Sequence, residues 1–530
     1  MRAAEEAAFA RGIEVEALMD QAGAGVARTV QKFFPQPGTC IVYAGKGHNG
    51  GDALAAAEYL QRAGWKIETR LPFPESDCSE LTRKKLAALR ESEPVAAAVP
   101  AAQGARGTHA DASGAADTAA TTGRRTIILD GLLGVGTKAF LREPIRATTR
   151  ELNRLRLERN AVVFAVDLPS GLYSDTGEVD PDSVVADFTV TIGFAKHGLI
   201  ADNVVDFVGR IEVWPLPDLE VGGARNEILA TQSTLAGLLP RRKFGAYKNQ
   251  CGRIAVVAGS KGFIGAALMT ANGALRAGAG LVELFVPEDI YEIAAAAARP
   301  EVMVKATRGY KDLPTENIDV WAVGPGLGKA HGARIRDLIA RVEQPMVVDA
   351  DGLNVLAEEI EVLKRCRGPR LLTPHPGEMQ RMVAPGKMTR AGLARSFCEH
   401  FPVTLLLKGS RTVVAQRDKP LSFNTTGNPG MATGGMGDVL TGICAGLIGQ
   451  GMSLYDTARV AVWLCGRSAE LAIFHGNSTE LTLLPSDILD NLSRALVELE
   501  VDPTLSNRNC HAPNKEGLTG DAAHREQGCD

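Results

Sequence analysis

Long apolar runs, paired cysteines and a surplus of charge of either sign are all missing from this chain of 530 residues. No apolar stretch approaches the roughly 18 residues needed to cross a bilayer, and Glu5 and Glu6 stand where a secretory leader would be basic and then apolar. A cytoplasmic protein without a membrane partner is expected. The formal net charge of −4 gives no reason to look for a nucleic-acid partner. Nine cysteines are scattered singly without one C-x-x-C pair, which argues against a zinc ribbon or a disulfide framework and fits reduced thiols in small core positions.

What is present is enough apolar residue, 45%, and enough length for two or three cored domains. Residues 1 to about 30 carry Ala8, Ile13, Leu18 and Ala22 at near-helical spacing, with the motif LMDQAG around Asp20 and Gly23. A strand over 40–44, the run GKGHNGGD, a helix over about 53–63 and a strand near 66–71 make a β-loop-α-β unit. Residues 96–124 are rich in Ala, Gly, Thr and Ser with no apolar period, and read as a disordered surface insertion. Strands over 126–129, 162–166, 189–192 and 210–213, with a helix over 144–159, continue a mostly parallel, doubly wound sheet. Pro215 and Pro217 end that series, and 216–242 reads as a linker. Seven more strands, over 253–258, 281–286, 319–323, 346–349, 370–373, 403–408 and 412–415, predict a second domain over 243–500. Residues 501–530 are polar and read as a disordered tail. The expected fold class is α/β in two domains, a Rossmann-like doubly wound sheet over 1–215 and a second α/β domain.

Glycine is concentrated in NTTGNPGMATGGMGDVLTG, Asn424 to Gly442, with six glycines in nineteen residues. Backbone N–H groups can converge on a phosphate only where no Cβ intrudes, and the apolar run from Val439 predicts a helix whose positive end faces the same point. Asp438 at that helix start either caps it or takes a proton from a substrate hydroxyl beside the phosphate. Upstream, Gly259, Ser260, Gly265 and Ala266 surround a strand-to-helix junction, GPGLG (Gly324 to Gly328) and DADGLN (Asp349 to Asn354) each follow a strand, and TPHPGE braces His375 between prolines with Glu378 nearby. The run Lys408, Gly409, Ser410, Arg411 and Thr412 joins two strands, either as a plain turn or as a cradle for a nucleotide phosphate.

In the first domain, Gly45, Gly47 and Gly50 match the G-x-G-x-x-G fingerprint with Glu68 near the place of a ribose-binding acid, but the run continues into Gly51 and Asp52. Polar groups stand at three strand ends: His48, Asn49 and Asp52 after the first, Asp130 after the strand at 126, and Asp167 with Ser170 in VDLPSG. Each alone could be a cap or turn former. On the carboxyl ends of one parallel sheet they would meet in a crevice.

The order AGKGHNGGD, LDGLLGVG, VDLPSG, DTG and TIGFAKHG resembles the NAD(P)H-hydrate epimerase family, and the motifs of the second domain resemble the ADP/ATP-dependent NAD(P)H-hydrate dehydratases of the ribokinase-like superfamily. The resemblance implies a ribokinase-like second domain and a repair enzyme for hydrated nicotinamide cofactors. It would epimerise the R and S forms of NADHX and NADPHX, then dehydrate the S form at the expense of ADP. It places the hydrate against His48, Asn49, Gly50, Gly51 and Asp52 and the loop Gly134, Val135, Gly136, Thr137, Lys138, Ala139 and Phe140, with Asp167 as the acid/base group. It implies a potassium ion (K+) on Asn49, Asp130 and Ser170. In the second domain it implies hydrate contacts from Ala266, Gly326, His375 and the catalytic Asp438, adenine nucleotide on Lys408 to Thr412 and Gly437, and Mg2+ with the ADP. A homo-oligomer is also expected. Lys196 matches a lysine of the pattern, although a snorkelling surface lysine explains it as well.

The sequence departs from the pattern at His48, where an Asn is usual, at Ala53, where a Gly is usual, in the loop LLGVGTKAF, which lacks an arginine, in AYKNQCG, and at Cys465, where a His is common. Two rival readings remain at this stage. One is a kinase of the same superfamily acting on a vitamin-precursor alcohol; the other makes the first domain a non-catalytic binding module.

Overall fold

The computed structural model describes residues 2–91, 125–136, 140–219, 225–311, 313–383 and 386–500. The expected insertion at 96–124, the tail at 501–530 and the loop residues Thr137, Lys138 and Ala139 lie outside them. Two sheets organise the chain. The first holds β1 (Thr39–Ala44), β2 (Lys66–Arg70), β3 (Thr126–Gly131), β4 (Val162–Val166), β5 (Phe188–Ile192) and β6 (Arg210–Trp214), in the order β2-β1-β3-β4-β5-β6 with every pair parallel.

Strand alternation decides what each face of this sheet buries. Val42, Leu129, Phe164 and Val166 point to one face, where the helices Val15–Phe33 and His48–Arg62 bring Val30, Phe33, Leu54 and Leu60. Ile41, Ile128 and Val163 point to the other, beneath Leu152 and Leu155 of the helix Ile145–Glu158. Burial on both faces is why these strands read as continuous apolar runs.

The second sheet holds β7 (Glu227–Ala230), β8 (Arg253–Val257), β9 (Leu281–Pro287), β10 (Val302–Thr307), β11 (Val320–Val323), β12 (Met346–Val348), β13 (Arg370–Leu372), β14 (Thr404–Leu407), β15 (Val413–Gln416) and β16 (Leu421–Asn424). Its order is β10-β9-β8-β11-β12-β13-β14-β15-β16-β7, parallel except at the antiparallel pairs β14/β15 and β15/β16. Helices Ile264–Arg276, Met436–Gly449, Leu454–Phe474 and Pro485–Glu500 cover one face, and Gly332–Arg341, Asp351–Ala357 and Arg390–His400 the other. The helices Ile264–Arg276 and Met436–Gly449 touch backbone to backbone: a Cβ on Gly442 would lie 2.1 Å from the Thr270 carbonyl. That contact sets the height of the glycine-rich helix start above the sheet.

Four expectations need correction. The helix after β1 begins at His48 rather than near Ala53, so Asn49 to Asp52 form its first turns. A glycine-rich run reads as loop, but here the glycines admit neighbours: a Cβ on Gly50 would lie 2.0 Å from the Gly45 carbonyl, and one on Gly51 2.5 Å from Met19 Cε. The stretch read as a linker contributes β7, which pairs with β16 at the far edge of the second sheet. β10 and β16 escape a periodicity reading because β10 is a half-exposed edge strand and β16 runs directly into the glycine-rich stretch that begins at Asn424. Residues 1–30 form two helices, Arg2–Ala10 and the start of Val15–Phe33, separated by a turn in which Gly12 has φ +88°.

The domains meet on aromatic rings. Phe474, at the end of a second-domain helix, packs 5.3 Å from Phe33, 5.6 Å from Phe34 and 5.7 Å from Phe188, ring centre to ring centre. Phe33 is fully buried at the middle of this cluster. Replacing it with alanine should therefore cost about 3–5 kcal/mol, read from urea unfolding, whereas Leu481→Ala at a 98% exposed position should stay within about 0.5 kcal/mol. Equal effects would contradict this placement of the core.

Candidate functional site

Each sheet has one point where the chain reverses its direction of growth, between β1 and β3 in the first and between β8 and β11 in the second. Loops beyond the carboxyl ends of strands open a crevice at such a point. Several of the polar residues singled out by sequence lie at the carboxyl ends of strands on these two sheets.

In the second domain, Asp349 follows β12 and is 1% exposed. One of its oxygens accepts from Lys408 Nζ at 2.7 Å and the other from Thr441 Oγ1 at 2.8 Å, tying β12, the end of β14 and the glycine-rich helix together. Glu378 is also buried, 3.8 Å from Lys408 Nζ, and accepts the His375 N–H at 2.8 Å. Burial works against the Lys408 charge, but Asp349, Glu378 and Asp438 outweigh it and hold the ammonium above its ordinary pKa.

The helix Met436–Gly449 is entered through Gly435, in a left-handed turn at φ +94°, and no side chain caps it. Asp438 is thus the third residue of the helix and not its cap, which removes the structural alternative left open by the sequence. Burial, then the neighbouring Asp349 charge, push its carboxyl up to about 6, with Lys408 opposing. A Cβ on Gly437 would stand 3.2 Å from Lys408 Nζ, so the helix start and the lysine face one another across a glycine-sized gap. Together these groups present backbone donors, one ammonium and one proton-accepting carboxylate, the parts needed to stabilise a transferring phosphoryl group.

Other expected residues are placed less uniformly. Gly326 at φ +63° packs against Ala266, with 3.1 Å between the Ala266 Cβ and the place a Gly326 Cβ would take. His375 caps the helix Pro376–Met382, its Nδ1 accepting from the N–H groups of Gly377 and Glu378 at 3.0 and 3.3 Å, which leaves Nε2 on a half-exposed edge. Thr412 closes its own turn on the Gly409 carbonyl at 3.0 Å, and Ser410 is exposed. Arg411 turns away from Lys408: it is 4% exposed and donates to Gly209 of the first domain at 3.0 Å.

In the first domain, Asp130 is fully buried and accepts from the Ser170 hydroxyl at 2.7 Å, the Ser170 N–H at 2.8 Å and the Leu132 N–H at 3.2 Å. Asn49 donates to the Leu133 carbonyl at 2.8 Å, and Ser170 Oγ accepts from the Leu133 N–H at 3.0 Å, so Asn49, Asp130 and Ser170 form one cluster. Burial pushes the Asp130 carboxyl up to about 6 against these hydrogen bonds. Among the described residues no Lys, Arg or His side chain pairs with it.

Asp167 sits in the left-handed region at φ +69°, accepts from the Ile192 N–H at 3.0 Å and forms an ion pair with Lys196. Lys196 is 8% exposed and also donates to Thr191 Oγ1 and the Ile192 carbonyl, both at 3.1 Å, so it is not a snorkelling surface lysine. Asp52 is held well above the ordinary carboxylate pKa by burial and then by the Asp167 charge. Gly134 passes beside Asn49, Val135 packs on a small apolar cluster, Gly136 is open, His48 is exposed, and Phe140 meets Tyr173 edge-on at 6.4 Å. Glu68 pairs with Lys66 on β2 at 3.1 Å and has no place in this cluster.

A family profile described as NAD(P)H-hydrate dehydratase matches residues 254–494, and one described as YjeF-related protein N-terminus matches residues 15–198. The bifunctional NAD(P)H-hydrate repair enzyme Nnr of Moorella thermoacetica is 34% identical over 91% of this chain and 92% of its own length. The enzyme of the same name from Escherichia coli is 33% identical over 96% of this chain and 94% of its own. The chain belongs to the family of bifunctional NAD(P)H-hydrate repair enzymes. A crystal structure of the ADP/ATP-dependent NAD(P)H-hydrate dehydratase of Bacillus subtilis, co-crystallised with ATP and Mg2+, is also similar, at 30% identity and a TM-score of 0.46 over 52% of this chain and 100% of that one.

Within this repair-enzyme frame, sequence reading named Asp438, Gly437 and Lys408 but gave no role to Asp349, Glu378 or Thr441, the groups that hold the lysine and the helix. Asp349 was visible only as the strand end of DADGLN. Thr441 looks like one more helix residue until the fold sets it against Asp349.

The buried Asp130 gives a linkage test. Its pKa is higher folded than unfolded, so its contribution to stability is present below about pH 4 and is lost as pH rises through about 6. The stability of wild type relative to Asp130→Asn should therefore fall by about 3 kcal/mol across that window in potassium-free buffer. A difference independent of pH would contradict the burial of an uncompensated carboxylate.

Proposed function

We propose that the first domain interconverts the R and S hydrates of NADH and NADPH through Asp52, Asp167 and Lys196, and that the second dehydrates the S form through Asp438 at the expense of ADP. The observation that carries the reading is Asp438. It is a half-buried carboxylate that caps nothing, is raised to about 6, and stands beside Lys408 at an uncapped helix start.

In the second site Asp438 takes the proton of the substrate hydroxyl as the oxygen attacks the terminal phosphorus of ADP. The phosphorus–oxygen bond to the leaving AMP breaks, and Lys408 with the N–H groups of the Gly434–Gly437 segment stabilises the transferring charge. The phosphorylated oxygen is then a good leaving group. Its departure as phosphate, with loss of a ring proton, restores the dihydropyridine ring without a protein nucleophile. Among the described residues no three His, Cys, Asp or Glu side chains gather to hold a metal ion. Mg2+ would arrive with the nucleotide and be held mainly by its phosphates.

In the first site two carboxylates lie in unlike surroundings, the arrangement that separates an acid from a base. Burial and the Asp167 charge raise the proton affinity of Asp52, while Asp167 forms an ion pair with Lys196 and works as the base at the epimerising carbon. Asn49, Asp130 and Ser170 offer hard oxygens around a buried carboxylate with no cationic partner among the described residues, which suits potassium. Such an ion would supply the missing counter-charge. His48 takes the usual place of an asparagine and is exposed at the rim, so it retunes hydrate binding and leaves the acid/base pair intact. The family resemblance supports the cytoplasm as the place of action and a homo-oligomer as the assembly. Among the described residues no helix is long and apolar enough to cross a membrane.

Two outcomes test the division of labour. Asp167→Asn should lower epimerisation by at least about 100-fold and leave ADP-dependent dehydration of pure S hydrate within about twofold; parallel loss of both would refute it. For the second site, kcat/KM should rise with pH through about 6 as Asp438 ionises, and then level off. Lys408→Met removes the opposing positive charge and should move this acid limb to higher pH. An unmoved limb would assign it to another group.

A further inference from the structure

Three contacts from one short segment of the first domain reach three supports of the second site. Asp202 accepts the backbone N–H of Arg390 at 2.9 Å. The Arg390 guanidinium in turn donates to the carbonyls of Leu407, Lys408 and Arg411 at 3.2, 2.9 and 3.1 Å, holding the loop that carries Lys408. The Gly209 carbonyl accepts from Arg411 at 3.0 Å. Arg210 donates through Nε to Glu470 at 3.0 Å, and the same Glu470 oxygen accepts the N–H of Gly427 at 2.9 Å.

Gly427 opens the segment that runs to Gly434–Asp438. Glu470 is fully buried and accepts through its other oxygen from Arg467 at 3.0 Å, and Arg467 is itself held by Glu498 at 2.6 and 3.0 Å. Arg210 and Arg467 both lie over the Phe33 ring, at 5.4 and 5.3 Å. Buried charges joined to a backbone N–H make a link with defined geometry, because moving one partner strands the other without solvent.

From this continuity we infer that Arg210, acting through Glu470, is a positioning residue for the dehydration reaction: the epimerase domain sets the backbone that receives the nucleotide in the neighbouring domain. The segment 202–210 is the connection leading from β5 into β6, on the same sheet that carries Asp167. The first domain is thereby a structural part of the second site. This inference rests on the reading of the second domain as the ADP-dependent half.

The test uses the full chain with Arg210→Met and Glu470→Gln combined, and Arg210→Lys as the conservative variant. The double change removes this pair while Glu212, the other carboxylate paired with Arg210, keeps Lys32, and Arg467 keeps Glu498. Calorimetric binding of ADP with Mg2+, the KM for ADP, kcat on S hydrate, and epimerisation of R hydrate are measured beside thermal unfolding. The expected result is about a tenfold weakening of ADP binding and of its KM, epimerisation within about twofold, and partial recovery in Arg210→Lys. A folded double variant with wild-type ADP affinity overturns the inference. So does an equal loss of both activities that tracks the melting temperature, which marks a merely structural contact. Wild-type protein that binds no ADP overturns the functional reading and this inference together. Failure of Asp438→Asn to stop dehydration, with the ADP effect of Arg210 intact, refutes only the role given to Asp438.

Discussion

Parallel pairing is the constraint on which this molecule depends. A parallel strand cannot return by a hairpin, so each is followed by a crossover that covers a face of the sheet, and the loops at the carboxyl ends gather along one edge. Both sheets bury apolar side chains on both faces as a result, and carboxylates of both candidate sites stand where strands stop. Asp130, Asp167, Asp349 and Lys408 all stand at such strand ends. The antiparallel run β14-β15-β16 is the exception, and its first turn carries the loop with Lys408 and Arg411 back toward the first domain.

At those edges the chemistry follows from how each buried charge is compensated. Asp349 has a lysine and a threonine and serves as a fixed anchor. No cation among the described residues hydrogen-bonds Asp438, and its desolvation raises its proton affinity. Asp167 has Lys196, while Asp52 beside it has burial and a neighbouring negative charge. Asp130 has only neutral donors among the described residues. Carboxylates of one kind are thus compensated in four different ways by their surroundings.

The sheets and most of their strands were legible because doubly buried strands are short apolar runs bounded by turn residues. β7 was not, because its pairing with β16 joins residues almost 200 apart in the chain and nothing local marks a four-residue edge strand. The start of the helix at His48 was hidden by glycines that serve close packing and not a loop. Asp438 and Lys408 stood out from their motifs. Glu378 and Thr441 did not, since a glutamate in a first helical turn and a threonine in mid-helix have ordinary explanations, and Lys196 matched a lysine of the family pattern that a surface lysine explained as well. Their roles appear only when tertiary contacts bring them to Asp349, Lys408 and Asp167.

The measurement that bears most directly on two sites acting in sequence is the time course of NADH absorbance from a prepared mixture of R and S hydrates, supplied with ADP, Mg2+ and K+ and corrected for spontaneous epimerisation. The account predicts complete recovery that depends on ADP, the S fraction first and the R fraction following at the rate of epimerisation. Recovery that halts at the S fraction in wild-type protein would contradict an active first domain. A stable phosphate ester in place of NADH would contradict the repair reaction itself.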